Sequence, residues 1–529
     1  MNATQSRWTR RLALIGAGYG LLAAVAVGQV QMQVLQTQNA LPAVFFGSSV
    51  DLEGDLAVIG AACDVSPLVG SAYIFRRVAG SWIEEAQLLP ADGAGGDLFG
   101  FSISISGTTV LVGAPGKSAA YVFEQQGSAW VQTATLTPVA GHILDKFGWS
   151  VSLRDDVALV GAPFDDVQVG DQGSVTAFRR TSSGWVLWQE IPGDDPTPGA
   201  RFGASIDIWQ DLAVVSATFS SAGRGRAFLL RETPTGWVRF ARLEEPDSPS
   251  VGATTFGEAA ALWGDTAVVT APNASLPTAM IAGAAYVYER QGGLWIHGGT
   301  LLASDGEAWD RFGRRAILQG NVAFVTTWDA DMGRGAAYLF ERQALGWTEV
   351  AKLTGSTTQP GDQFGTSVAL DASTAMIGAV HHIGAAPGTG AVYVFDIPIG
   401  QAVCAATSNS TGVPAHLTTF GSTSVSRAAL DLIATPVPDD VGLFFYGPEQ
   451  TQVPFGNGFL CVAGFLSRLP PQQATGGILR HSVDFDDPPT AQGQILPGTS
   501  WNFQAWFRDP GAGGAAFNLS DARHLIFSL

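Results

Sequence analysis

The chain is poor in the residue types on which most site chemistry depends. Its 529 residues include three cysteines, seven histidines and five methionines, and 14% are charged. There is no CxxC pair, which excludes the usual thiolate metal and dithiol redox motifs. HExxH, Gly-x-Ser-x-Gly and phosphate-loop patterns are also missing, so zincin, nucleophile-elbow and P-loop chemistry have no local signature. Past residue 28 no apolar run is long enough to span a bilayer, so the mature chain should carry no transmembrane segment. Basic residues are scarce too: 28 Lys and Arg stand against 46 Asp and Glu, a formal net charge of −18. An acidic surface of this kind opposes binding to nucleic acid or to anionic lipid.

What is present begins with a leader. Arg7, Arg10 and Arg11 precede an uncharged stretch from Leu12 to Val27, and Ala26-Val27-Gly28 offers a cleavage site. Residues 1–28 therefore read as a signal peptide, which predicts a secreted or cell-envelope protein with its mature part on the extracellular side. The alternative is a retained signal anchor, for which the apolar stretch is short. Gly16-Ala17-Gly18-Tyr19-Gly20 lacks both the sixth-position glycine and the preceding strand of a dinucleotide loop.

The rest is dominated by repetition and by 65 glycines and 28 prolines. A Phe-Gly pair recurs at Phe46-Gly47, Phe99-Gly100, Phe147-Gly148, Phe202-Gly203, Phe256-Gly257, Phe312-Gly313 and Phe364-Gly365, in steps of 53, 48, 55, 54, 56 and 52 residues. That spacing is one supersecondary unit stacked on its neighbours. Each copy contains four short runs in which apolar residues alternate, separated by Gly-Asp-type turns, and this is the pattern of four antiparallel strands. The fourth run carries a tryptophan (Trp82, Trp130, Trp185, Trp237, Trp295, Trp347), read as core packing. The seventh copy stops at Asp396-Ile397-Pro398 without its fourth run, whereas residues 29–41 stand where a fourth run would precede the first copy. An all-β, seven-bladed β-propeller over residues 29–398 is predicted, with the N-terminal strand completing the last blade and closing the ring.

The Phe-Gly pairs, together with Gly113-Ala114-Pro115, Gly161-Ala162-Pro163 and Thr270-Ala271-Pro272, resemble FG-GAP repeats, as in the propeller of integrin α subunits. The resemblance implies a propeller that presents loops to a ligand. Integrin-like propellers often hold calcium in a DxDxDG-type loop between the first two strands of a blade. The corresponding turns here (LEGDL, SGTTV, RDDVA, WQDLA, WGDTA, QGNVA, DASTA) cannot supply that ligand set. Calcium is left to later loops: Asp329 and Asp331 are the candidate metal ligands, with Asp165, Asp166 and Asp171 as further loop acids.

Residues 399–529 have a different character. The strings Gly442–Pro448, Val453–Val462 and Pro497–Pro510 are short aromatic strands between Gly and Pro turns, which predicts a small β-sandwich-like domain. The module resembles one found at the C-terminus of secreted planctomycete-type bacterial proteins, which implies an extracellular or envelope role. Export makes a Cys404–Cys461 disulfide reasonable and leaves Cys63 as a free thiol. Trp501, Phe503, Trp506 and Phe507 form either part of the sandwich core or a carbohydrate-stacking platform.

Asp97, Asp145, Asp310 and Asp362 each stand two residues before a Phe-Gly pair, which argues for turn-capping rather than acid/base work. His381 and His382 are adjacent, and on a strand would face opposite ways. No catalytic constellation and no cofactor site stands out. The expected function is a non-enzymatic binding or adhesion scaffold that recognises an extracellular protein or glycan. The alternatives are a polysaccharide hydrolase or lyase built from carboxylates of separate blades and a structural envelope component.

Overall fold

The computed structural model describes the chain from Val30 to Phe527 except residues 38–44, 63–68, 139–142, 195–196, 247–252, 344–345, 372, 385–387, 398–399, 422–424 and 426–429. The signal peptide and Cys63 lie outside the described residues.

Seven four-stranded antiparallel sheets form the larger part of the described chain, six of them in simple sequence order from inner to outer strand. Blade 1, for example, is Phe46–Glu53, Leu56–Ala61, Ser71–Val78 and Ser81–Leu88. The first strands of successive blades pack against one another, and that of blade 7 (Phe364–Asp371) packs against that of blade 1, so the ring is closed. Blade 7 takes its outer strand from the other end of the propeller: Val30–Leu35 pairs antiparallel with Ala391–Asp396. The Gln33 side chain both donates to Trp82 O and accepts from Trp82 N at 2.8 Å, and Gln189 of blade 3 does the same to Trp237 of blade 4. The closing strand thus reproduces an ordinary outer strand.

The phenylalanine of each pair is at most 1% exposed. Its ring meets an aromatic residue of the third strand in its own blade, as in Phe99–Tyr121 at 5.5 Å and Phe364–Tyr393 at 5.4 Å. Edge-on contacts of this kind add to the apolar area that the ring buries. The following glycine is required by both backbone and space. Gly100 has φ +89°, and a Cβ there would lie 2.3 Å from Ser71 O.

The departure from Gly-Ala-Pro in blade 6 has a steric explanation. In blades 1, 2, 3 and 7 a Cβ on the second-strand glycine (Gly60, Gly113, Gly161, Gly378) would fall 2.1 to 2.2 Å from the Phe-Gly carbonyl of the next blade. A serine three residues after the phenylalanine (Ser49, Ser102, Ser150, Ser367) donates to that same carbonyl at 2.7 to 2.8 Å. In blade 6 the second-strand residue is Thr326, whose hydroxyl makes the bond itself, to Gly365 O at 2.7 Å, and the serine position is taken by Arg315. The hydroxyl has moved from one strand to the other. Thr326→Gly alone should destabilise by about 1–2 kcal/mol, and Thr326→Gly combined with Arg315→Ser should recover most of that, a coupling that melting curves of the four proteins would detect.

Beyond residue 400 the sheets are irregular. A six-stranded sheet built on Val441–Gly447, Ser500–Arg508 and Phe517–Ile526 faces a three-stranded one (His416–Gly421, Leu430–Thr435, Leu479–Val483) across a core of Leu417, Leu432, Phe444, Phe503, Phe507 and neighbours. This is a sandwich. On the other face of the large sheet lies the hairpin Glu449–Phe455/Gly458–Ala463, and Cys461 is joined to Cys404 with Cα atoms 6.2 Å apart. Trp501, Phe503 and Phe507 point into the sandwich core, while Trp506 faces the hairpin side and packs on Phe517 at 5.6 Å. The four aromatics therefore do not form one platform, because alternation along the strand divides them.

Candidate functional site

The seven first strands surround a cavity of about 400 Å³ at the centre of the ring, within the range of small-molecule sites. In blades 1 to 4, the side chain five residues after the phenylalanine faces this channel and bridges two blades. Asp51 accepts from Ile105 N at 2.8 Å, Ser104 from Leu153 N at 3.1 Å, Ser152 from Ile208 N at 3.1 Å, and Asp207 from Leu262 N at 2.8 Å. Blades 5, 6 and 7 carry Ala261, Ile317 and Ala369 there, which cannot accept.

Two of the four bridges are carboxylates deep in the ring. Burial pushes Asp51 up to about 6, against the pull of the Ile105 and Leu52 N–H groups. Burial likewise pushes Asp207 up to about 7, against the Leu262 N–H, and the negative charge of Asp51 adds to the rise. Two cations line the cavity, Arg201 toward its mouth and Arg315 alongside these carboxylates. Burial lowers the pKa of Arg315, the Glu258 charge opposes that, and its Nη1 donates to Arg314 O at 2.9 Å.

The mouth of the channel lies on the side of the Phe-Gly pairs. The residue before each pair (Phe45, Leu98, Lys146, Arg201, Thr255, Arg311, Gln363) adopts the left-handed conformation with φ between 53° and 59°. That conformation is costly for residues other than glycine, and such strain gathers at functional positions. Side chains at these positions vary freely from blade to blade, and blades 2 to 4 supply an aromatic sector. Phe101 meets Trp149 at 4.7 Å, and Trp149 meets Phe164 at 5.5 Å. The Arg201 guanidinium lies 4.7 Å over Phe164 and 4.5 Å over Phe219. All five residues line the cavity and are half-buried. In blade 6 a second stack places Arg314 at 4.6 Å and Arg315 at 5.3 Å over Trp328. Aromatic faces with arginine between them can stack on a flat ring and bind a carboxylate through parallel hydrogen bonds.

The metal candidates are placed otherwise. Asp329 is engaged by Arg314 at 3.0 Å and lies 3.9 Å from Arg311, and Asp331 pairs with Arg334 at 2.6 Å. Among the described residues no group of three or more His, Cys, Asp and Glu is arranged to hold an ion. Asp165 accepts from the Ser174 hydroxyl, and Asp166 from Asp171 N. Asp97, Asp310 and Asp362 each accept from a backbone N–H three residues earlier. His381 and His382 diverge: His382 is buried on Asp362 at 2.9 Å, and His381 meets Phe45 edge-on at 5.2 Å. None of Phe101, Trp149, Phe164, Arg201, Asp51 and Asp207 stands out in the repeat template. The position of Phe101 and Trp149 carries Ser48, Ala204, Glu258, Arg314 and Thr366 in the other blades, and that of Arg201 differs in nearly every copy, so a template of constant residues does not mark them.

The closed ring of four-stranded sheets defines the class: this is a β-propeller. Residues 30–75, 82–129, 130–178 and 347–395 match the FG-GAP repeat family, so FG-GAP repeats occur in four places along this propeller. No curated protein matches it. Among solved structures it is similar to the β-propeller domain of Cps50 (Swd1) from Myceliophteria thermophila, at 11% identity and a TM-score of 0.44, covering 69% of this chain and all of that one. The fold is that of a protein-binding scaffold. FG-GAP repeats are typical of extracellular proteins. Among the described residues no helix is long and apolar enough to cross a membrane.

Proposed function

We propose that this protein is exported and acts as a non-enzymatic binding scaffold, recognising an extracellular protein or glycan at the channel mouth. The observation that carries the reading is the cluster of Phe101, Trp149, Phe164, Phe219 and Arg201, half-buried and lining one cavity. The Phe-Gly phenylalanines are covered on all sides, whereas these rings keep a face toward the cavity. The leader and the resemblance of the C-terminal module support a place outside the cell or in the envelope.

The test is retention of residues 29–529 on a glycan array and on envelope extracts. Trp149→Ala should cut retention at least tenfold in a protein that still melts cooperatively, because the ring keeps a face toward the cavity. Undiminished retention in Trp149→Ala would refute the site, and firm association with envelopes independent of any soluble ligand would favour the structural role.

A hydrolase or lyase is favoured by one observation, the raised carboxyls of Asp51 and Asp207 in the cavity. Against it, Ser104 and Ser152 make the same interblade bond at the equivalent positions, so the carboxylates have a structural task that explains their placement. Sugar fragments released during the array experiment would decide for the enzyme.

A further inference from the structure

We propose that the aromatic sector of the mouth receives a uronic-acid residue of an acidic glycan, with its carboxylate on Arg201 and its ring against Trp149 and Phe101. The proposal rests on the binding reading above and names the ligand class for that site.

Arg201 carries the argument. Among the described residues no carboxylate pairs with it, although the chain as a whole is strongly acidic. The comparable arginine of blade 6, Arg311, has Asp329 at 3.9 Å. The guanidinium of Arg201 lies between the rings of Phe164 and Phe219, and its Nε, like that of Arg311, is buried without a hydrogen-bond partner. A buried donor left unpaired is costly, and an arriving carboxylate would satisfy it. The planar fork accepts a carboxylate in two parallel bonds, which a lysine cannot do. Contacts with the Phe164 and Phe219 rings hold the guanidinium in place, so the fork is positioned before any ligand arrives.

The ring is argued from the neighbours. Trp149 and Phe101 stand beside Phe164 as a continuous half-buried surface, suited to the apolar face of a pyranose. Glu258, Thr218 and Ser48 also line the cavity and can exchange hydrogen bonds with sugar hydroxyls. An acidic peptide fits less well. Extended peptides are captured at an open sheet edge, whereas the inner strands here are enclosed by their neighbours around the whole ring. A cavity of about 400 Å³ admits one or two sugar units and excludes a folded partner.

The experiment titrates residues 29–529 with trigalacturonate, with its fully methyl-esterified form, with a glucuronate-containing tetrasaccharide, and with a hexaglutamate peptide, following tryptophan fluorescence and heat. At least one of the two uronate probes should bind, and its esterified or neutral counterpart should bind at least tenfold more weakly. Arg201→Gln should abolish the preference for acid over ester, and Arg201→Lys should restore only part of it. Trp149→Ala should weaken acid and ester alike, which keeps the test decisive if Arg201→Gln proves unstable. Equal binding of acid and ester, an unchanged preference in Arg201→Gln, or tighter binding of hexaglutamate than of either uronate would overturn the proposal. If neither uronate binds while another arrayed ligand depends on Trp149, the ligand class is wrong and the site stands. If no arrayed or extracted ligand depends on Trp149, the binding reading falls as well.

Discussion

A protein lacking residues 29–41 should melt on the order of 5–10 °C below the mature chain and should scatter light on heating where the mature chain does not. The strand Val30–Leu35 gives blade 7 its outer edge, in register from Val30 opposite Asp396 to Leu35 opposite Val392. Leu35 is 2% exposed, and it packs with Phe46, Tyr73, Phe75 and Trp82 of blade 1 in one cluster. Gln33 adds two bonds to Trp82, and Gln31 adds two to Ser356 of the loop after blade 6. Loss of a buried leucine costs about 2–5 kcal/mol, and each backbone bond a further ~1 kcal/mol. A chain of this size loses about 2 °C per kcal/mol. Deletion also uncovers Ala391–Asp396, an apolar strand whose free edge invites pairing with another molecule. A synthetic peptide of residues 29–41, added in excess, should raise the melting temperature of the truncated protein by refilling the edge. Calorimetry with and without the peptide measures both, and an unchanged melting curve on deletion would mean that the ring closes by some other means. Gln33→Ala provides the scale: it removes one side-chain pair, and should cost only about 1–2 °C.

Blade number and closure were legible in the sequence because their causes recur in every copy. Each phenylalanine must fill the same gap under its third strand, and each following glycine must adopt the same backbone, so selection for packing writes the pair seven times. The absence of a fourth run after Asp396 could be matched to a surplus run before Phe46 for the same reason. The site was not legible. Phe101, Trp149 and Arg201 fall at positions that a template defined by its constant residues treats as noise, and they meet only because blades 2, 3 and 4 are neighbours around the ring. Asp329 and Asp331 show the converse. Two acids two residues apart invite a metal, but Arg314, Arg311 and Arg334 come to them through the fold of blade 6, and local spacing does not reveal such neighbours. In the C-terminal sandwich the four aromatics of Pro497–Pro510 were divided by strand alternation, and only the inward set of Trp501, Phe503 and Phe507 shares a core.

The channel carboxylates should make the propeller less stable as pH rises from about 4 to 8, and neutralising them should remove that dependence. In the unfolded chain both acids titrate near 3.8, whereas in the folded ring Asp51 does so at about 6 and Asp207 at about 7. Below the unfolded value both states hold their protons, so the carboxyls cost nothing. Between there and the folded values the unfolded chain has released protons that the folded chain keeps, so stability falls as pH rises, and the loss is complete once the folded groups have ionised. Shifts of this size correspond to about 3–4 kcal/mol per group unscreened. Both carboxylates retain some contact with the channel, which reduces the figure to on the order of 1–2 kcal/mol each. Asp51→Asn and Asp207→Asn remove the charge and keep an oxygen for Ile105 N–H and Leu262 N–H, while Leu52 N–H and Ile208 N–H lose their acceptor, which offsets part of the gain. Each should therefore raise the melting temperature at pH 8 by about 2–4 °C and leave it nearly unchanged at pH 4. The double variant should gain less than the sum, because the Asp51 charge is one of the causes of the Asp207 shift, so either substitution relieves the other group. Asp51→Ala is the contrast: it leaves the Ile105 N–H without its acceptor, and should lose stability at both pH values. Melting curves of the five proteins at pH 4, 6 and 8 separate the effect of charge from that of the hydrogen bond. Parallel curves for wild type and the asparagine variants would show that water in the channel already solvates both carboxylates. In that case the bridges at Asp51 and Asp207 would be equivalent to those at Ser104 and Ser152 in energy as well as in geometry.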